Sequence, residues 1–279
     1  IKEGTATITA TLKVGDFVVL TDSCTVTVTA EGTVIPDVEE PQVSVDDSIS
    51  TETDKETAKE VAGSVSADDV VSGAAQKEAS KLNTSAEKDT LIEKGKEELK
   101  PQEGETVTLF TQSFLEIKAE HIEKQDNNIS KITLNITPKV QVVASTASNS
   151  ADIQIKDEYG EGNAVVVKAP VDLEITTSAE ITVDLPAGTF AGKTVYVKHE
   201  ADSGTYFYNA EADTQGTLTF ASHHGFSPFT FSMTNEAVAE VNDVGYASFQ
   251  AAVDAVGNNG TVKVLNGNAL HATISGSSK

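Results

Sequence analysis

Chemistry in this sequence would begin with its histidines and the polar groups near them. His223 and His224 are adjacent, so on a strand they point to opposite faces and cannot share one metal ion. His199 closes a separate strand-like run, and His121 and His271 lie farther off. Zinc accepts nitrogen and oxygen ligands, so His199 and His224 could join a carboxylate such as Glu200 around it. The plainer reading makes His224-Gly225 a polar turn ahead of a closing strand at 226–231. Ser227, within Gly225-Phe226-Ser227-Pro228, superficially resembles a nucleophile. A nucleophile elbow needs Gly on both sides and a strand-to-helix turn, and Pro228 and the β context defeat both.

The remaining candidates are weaker. With 43 acidic residues, carboxylate pairs at glycosidase separations must arise by chance, but the chain has no Trp to form a sugar platform. Asp157-Glu158-Tyr159-Gly160-Glu161-Gly162-Asn163 is an acidic, glycine-bearing loop whose oxygens could collect on calcium, although it lacks the D-x-[DN]-x-[DN]-G order. Lys139 with Asn135 nearby does not establish a Lys–Asn isopeptide cross-link, which needs an acid buried with them. Cys24, the single cysteine, alternates with Val26 and Val28 and reads as a small buried hydrophobe, with no disulfide partner in the chain. No residue is therefore assigned as catalytic, as a metal ligand or as cofactor-binding, and no cofactor is expected.

Composition narrows the partners. A formal charge of −23 repels phosphate backbones, which argues against nucleic acid and against anionic membrane surfaces. No apolar run reaches transmembrane length, so no membrane insertion is expected of this stretch. Ile1 begins in mid-pattern and Lys279 stops one strand into something new, so both ends read as cut.

The elements that would position these residues are mostly strands. Between residues 181 and 232, period-2 segments such as 194–198, 205–208 and 217–220 are broken by Gly, Asp and Asn, and the aromatic residues concentrate there. From Gly104 onward similar segments recur at 106–110, 114–118, 132–136, 140–143, 153–155, 164–167, 171–175 and 181–183, with Asp126-Asn127-Asn128 as a hairpin turn. Pro138 and Pro170 fall at the borders of these strands. Residues 101–234 are accordingly expected to form a β-sandwich domain. Residues 51–100 carry Ala, Glu, Lys, Asp and Ser in narrow apolar stripes and are expected as short helices of a spacer, with Thr53 and Glu56 as a capping box. Residues 31–50, with Pro36, Pro41 and their acids, read as an interdomain linker. Residues 1–30 read as three strands, turning at Gly15-Asp16. In 235–279, Phe249, Ala252, Val253 and Val256 share one helical face ahead of a strand at 261–265.

Three stretches resemble known families. Gly4-Thr-Ala-Thr-Ile-Thr-Ala followed by Cys24-Thr-Val-Thr-Val resembles the closing strands of a group 2 bacterial immunoglobulin-like domain. Residues 132–147, then Thr194-Val-Tyr-Val-Lys-His and His224-Gly-Phe-Ser-Pro-Phe-Thr-Phe, resemble an uncharacterised β-repeat of large Gram-positive surface proteins. Residues 244–265 are similar to the capping helix and first strand that open a right-handed parallel β-helix. The resemblances imply a mainly β chain: an antiparallel immunoglobulin-like β-sandwich with a short helical segment and partial β-domains at both ends. They imply a non-catalytic stalk segment of a secreted, multidomain protein of the bacterial cell surface. One alternative is an adhesin module for a host glycoprotein, immunoglobulin or glycan, with Tyr206, Tyr208 and Phe229 exposed for contact. Another is the accessory region of a carbohydrate-active enzyme whose catalytic part lies outside this chain.

Overall fold

Alternating Val and Thr set much of this chain into strands, because β-branched side chains fit a pleated, half-buried surface. The structure, a computed structural model, describes residues 4–14, 17–28, 33–175 and 177–266, the first two segments by backbone alone. The order begins with β1 (Gly4–Val14), β2 (Phe17–Val28), β3 (Ile35–Val38) and β4 (Gln42–Val45). Helices α1 (Glu52–Gly63), α2 (Asp68–Asn83) and α3 (Glu87–Leu99) follow, then β5 (Thr108–Gln125), β6 (Asn128–Ser145), β7 (Ala164–Asp172) and β8 (Ala179–Asp184). After the one-turn α4 (Ala187–Phe190) come β9 (Thr194–Ala201), β10 (Gly204–Glu211), β11 (Thr217–Ser222) and β12 (Pro228–Ser232). The hairpin β13 (Ala239–Val241) and β14 (Val244–Tyr246), helix α5 (Phe249–Ala255) and β15 (Lys263–Val264) complete it. The protein is mainly β, with antiparallel pairing throughout β9–β14 and a parallel pair, β4 with β5.

The chain forms two compact units, each assembled from separated stretches: Ile1–Pro36, Glu78–Thr111 and Val142–Ala169 in one, Asp37–Lys77, Gln112–Gln141 and Pro170–Lys279 in the other. In the first, Leu82 and Leu91 pack with Val107, Leu109, Val142 and Val167. Helix α3 comes so close to the strands that a Cβ on Gly95 would run into Ala144 and come within 3.2 Å of Val107. Lys168 anchors the helices by pairing with Glu78 at 3.0 Å and Glu87 at 3.4 Å.

The second unit holds the larger core. Its sheet runs β15-β13-β14-β10-β9-β12-β6-β5, and a separate two-stranded ribbon pairs β8 with β11. Leu134, Ile136, Val195, Val197, Phe229 and Phe231 of the sheet share one core with Ile181, Val183, Leu218 and Phe220 of the ribbon and Ala58, Val61 and Ala62 of α1. Phe220 meets Phe229 and Phe231 edge-on, with centroids 5.6 and 5.9 Å apart, a preferred aromatic geometry.

Several expectations are corrected. The described residues within 1–30 form two strands: β2 runs unbroken through Asp22 and Ser23, which pair with Ala10 and Thr9. The Gly15-Asp16 turn lies outside the described residues. Residues 35–45, read as linker, form β3 and β4, with β4 hydrogen-bonded beside β5 and Glu39 N donating to Ser113 O at 2.9 Å. The helices of 51–100 bury Ala58, Val61, Ala62 and Val71 in one core and Ala79, Leu82 and Leu91 in the other, a closer association than a spacer implies. The cap of α1 is Thr51, whose hydroxyl accepts from Asp54 N, two residues ahead of the expected Thr53. The segments 106–110 with 114–118, and 132–136 with 140–143, fuse into two 18-residue strands joined at Asp126–Asn127. Those two residues have φ of 51° and 65°, the left-handed pair of a type I′ turn. Pro138 lies inside β6 and Pro170 inside β7, not at their borders. The partner strand β12 pairs only as far as Asn135, so Pro138 leaves no ladder donor missing toward it; its carbonyl instead accepts from Leu173 N. Residues 239–246, expected to belong with a new region, add β13 and β14 to β10.

Candidate functional site

Strand period gathers the candidate residues on one side of the second unit. On β9 the pleat turns Val195, Val197 and His199 inward, with Tyr196, Lys198 and Glu200 on the other face. Register does the rest: His199 lies opposite Tyr206 of β10 and Phe229 of β12, and Val197 lies opposite Tyr208. His199 is fully buried and stacked on Phe229 at 4.2 Å, with 14° between the rings. The loop between β11 and β12 then brings His223, His224 and Ser227 over it.

The polar atoms there form one chain. Ser227 Oγ lies 2.8 Å from His199 Nε2 and 2.8 Å from the Glu200 carbonyl oxygen. His199 Nδ1 lies 3.4 Å from the Tyr208 hydroxyl, which is 3.2 Å from His224 Nδ1 and accepts from His223 N at 3.3 Å. Valence fixes the direction. A carbonyl only accepts, so the single Ser227 proton goes to Glu200, and His199 Nε2–H must donate to Ser227 Oγ. The unprotonated His199 Nδ1 then accepts from the Tyr208 hydroxyl, whose oxygen accepts from His223 N–H and His224 Nδ1–H. Every member is satisfied, and among the described residues no buried side-chain nitrogen or oxygen lacks a partner.

That direction is opposite to a nucleophile's. A serine nucleophile hands its proton to histidine, and a carboxylate holds the other ring nitrogen; here the serine proton points away and a neutral phenol takes the carboxylate's place. Burial, with the charge His224 would carry, pushes His199 down to about 4, so it stays neutral. His224 is also shifted down, by burial and then by His223. Its ring stacks on Tyr206 with centroids 3.4 Å apart.

The zinc arrangement does not form. His199 and His224 both bond Tyr208, but the Glu200 carboxylate pairs with Lys198 Nζ at 2.9 Å, and both belong to the other face of β9. Among the described residues, no three His, Cys, Asp or Glu side chains gather so as to hold a metal ion. His121 is exposed on β5, 3.6 Å from Glu123, and His271 lies outside the described residues. Tyr208 and Phe229 are buried and Tyr206 is half-buried.

Elsewhere the loops serve themselves. In 157–163 the Asp157 carboxylate accepts from Tyr159 N and Glu161 N, both at 2.9 Å, while Asn163 Oδ1 accepts from Gln154 N at 2.8 Å. Tyr159 stands out at the tip, 83% exposed. Lys139 pairs with Glu116 and Asp172, each at 2.7 Å, and Asn135 Nδ2 reaches Glu120 Oε1 at 3.4 Å, so Lys139 and Asn135 are engaged with different acids. Cys24 lies opposite Ile8 on the β1–β2 ladder, and its side chain lies outside the described residues.

Sequence reasoning missed two features. The first is Tyr208 as the hub joining both histidines: the register of β10 puts it two residues beyond the partner of His199, and the loop after β11 brings His224 to it. The second is a carboxyl pair, Asp37 and Glu39, one strand period apart. The buried Gln112 amide donates to Glu39 Oε1 and, at 3.2 Å, to Asp37 Oδ2, and Gln112 Oε1 accepts from Gln141 at 3.0 Å. Burial, then the hydrogen bond and charge of Asp37, push Glu39 up to about 7, with Gln112 opposing.

No protein-family model, no curated protein and no solved structure matches this chain.

Proposed function

We propose that the chain is a non-catalytic structural segment, a stalk or spacer, of a secreted multidomain protein of the bacterial cell surface, built on an immunoglobulin-like β-sandwich. The observation that carries this reading is the use made of the chemistry-bearing side chains. His199, Tyr208 and Phe229 are at most 5% exposed, and Ser227 gives its proton to a main-chain carbonyl. They serve the packing of β9, β10 and β12 and offer nothing to a substrate. The sandwich is supported by the β8–β11 ribbon, which shares its core with the larger sheet through Phe220. The extracellular setting rests on the resemblances described above, with which the acidic charge is compatible.

A second reading, an adhesin module for a host glycoprotein or glycan, is favoured by Tyr159 alone. An 83% exposed tyrosine on a loop closed by its own Asp157 is the kind of preorganised aromatic that anchors an interface.

Two measurements test these readings, the first their shared location and the second the choice between them. Protease shaving of intact cells of the source organism should release peptides of this chain, and their absence from the shaved fraction of expressing cells overturns the surface location. The purified chain on glycan and serum-protein arrays should bind nothing saturably. A ligand lost on Tyr159→Ala replaces the spacer by the adhesin module.

A further inference from the structure

We propose that the Ser227–His199–Tyr208–His224 chain is an acid-sensitive latch: a proton arriving at His199 Nδ1 breaks it and releases the loop of residues 222–227 from β9 and β10. The inference rests on wiring. The Tyr208 oxygen already receives the His223 amide and His224 Nδ1–H, and its own proton is directed at His199 Nδ1. Protonating that nitrogen turns an acceptor into a donor and sets two protons face to face. Tyr208 cannot turn to accept, because its oxygen is already occupied by two donors. The buried imidazolium would also lie on the Phe229 ring, with no carboxylate among the described residues to neutralise it.

Among the described residues no carboxylate faces His199, and the Ser222 side chain also bonds Tyr208. Facing His199 are Tyr208 from β10, His224 and Ser227 from the loop, and uncharged Phe229 from β12. His223 lies T-shaped to Tyr208, with centroids 6.0 Å apart, while Tyr206 lies against His224 and Tyr246. Lys198 and Glu200, the chain neighbours of His199, pair with each other on the opposite face of β9. His224 differs in kind: gaining a second proton leaves its Nδ1–H donation to Tyr208 intact. His199 is thus the trip and His224 its support.

The loop is built to be held by these contacts. Gly225 has φ of 81°, and Ser222 Oγ ties the turn by donating to Gly225 O at 2.7 Å. Its ties to β9 and β10 include Ser227, His224 and the His223 amide, all ending on this network. The depression of His199 to about 4 agrees with this arrangement, since an open loop returns the ring to its ordinary 6.5.

Amide hydrogen exchange of the intact chain, corrected for intrinsic rates, tests the latch, with the His223 amide as reporter. Between pH 7 and 4.5, opening of residues 223–227 should rise on the order of 50-fold, the ratio that pKa values of 4 closed and 6.5 open require. In His199→Gln, whose amide can accept from Tyr208 and donate to Ser227 without titrating, the rise should vanish; in His224→Gln it should remain. No rise in the unmodified chain overturns the latch, as does an equal rise in His199→Gln or its loss in His224→Gln alone. If His199→Gln fails to fold, the His199 Cε1–H resonance of the unmodified chain decides: it should titrate together with loop exchange. Titration with loop exchange unchanged overturns the proposal.

Discussion

Ser227 Oγ sits 2.8 Å from His199 Nε2, yet the proton on Ser227 belongs to the Glu200 carbonyl, also 2.8 Å away. Distance alone would make this a nucleophile and its base. Direction makes it a clasp between the 222–227 loop and β9.

Ser227→Ala should therefore cost stability without abolishing any reaction. Removing the hydroxyl strands a buried His199 N–H, so about 1–3 kcal/mol should be lost in urea unfolding. A fluorophosphonate serine probe should leave the mass of the intact protein unchanged, and a stoichiometric adduct at Ser227 would contradict the clasp.

Acid should weaken the fold through His199. Its folded value, about 4, lies below the unfolded 6.5, so in that window the unfolded chain takes up a proton that the folded chain refuses. Stability is complete above 6.5 and falls as pH drops toward 4, by up to about 3 kcal/mol. Urea midpoints at pH 7 and 4.5 measure the loss, and His199→Gln should remove most of it.

Glu39 acts with the opposite sign. Its folded value, about 7, lies above the unfolded 4.5, so the folded chain retains a proton that the unfolded chain gives up. That contribution is complete below 4.5 and is lost as pH rises through 7. Glu39→Gln keeps a donor toward Asp37 and an acceptor for Gln112. It should match the unmodified chain at pH 4.5 and exceed it at pH 8, as read by thermal midpoints.

The two cores should respond to packing changes as dense interiors do. Phe229→Ala removes a fully buried ring in contact with His199 and Phe220 and should cost about 3–5 kcal/mol. Gly95→Ala should cost about 1–3 kcal/mol, because the added methyl runs into Ala144 and something must shift. Differential scanning calorimetry of the intact variants measures both.

How much of this was legible beforehand differs from element to element. Period-2 alternation marked Thr194–Ala201 and Thr217–Ser222, because in a strand the side-chain pattern is the face pattern. The same rule, applied to His223 and His224, assumed a strand; both lie in the loop after β11 and both approach Tyr208. It could not show that Tyr208 stands between His199 and His224, since that depends on the register of β10 against β9 and on a loop conformation set by Gly225. Nor could it show that β3 and β4 join a sheet. Two prolines and six acids within 31–50 argue for an extended linker, and only pairing with β5, distant in sequence, turns extension into a strand. The discontinuous units escape local reasoning for the same reason: β5 and β6 are long enough to contribute to both.

The most direct test of the claim that these side chains serve the fold and not a reaction is the tautomer of His199. Long-range nitrogen–proton spectra of the 15N-labelled chain at pH 7 should show Nε2 protonated and Nδ1 bare, the state that donates to Ser227 and accepts from Tyr208. A ring carrying its proton on Nδ1, with a bare Nε2 accepting from Ser227, is the wiring of a nucleophile and would contradict that claim.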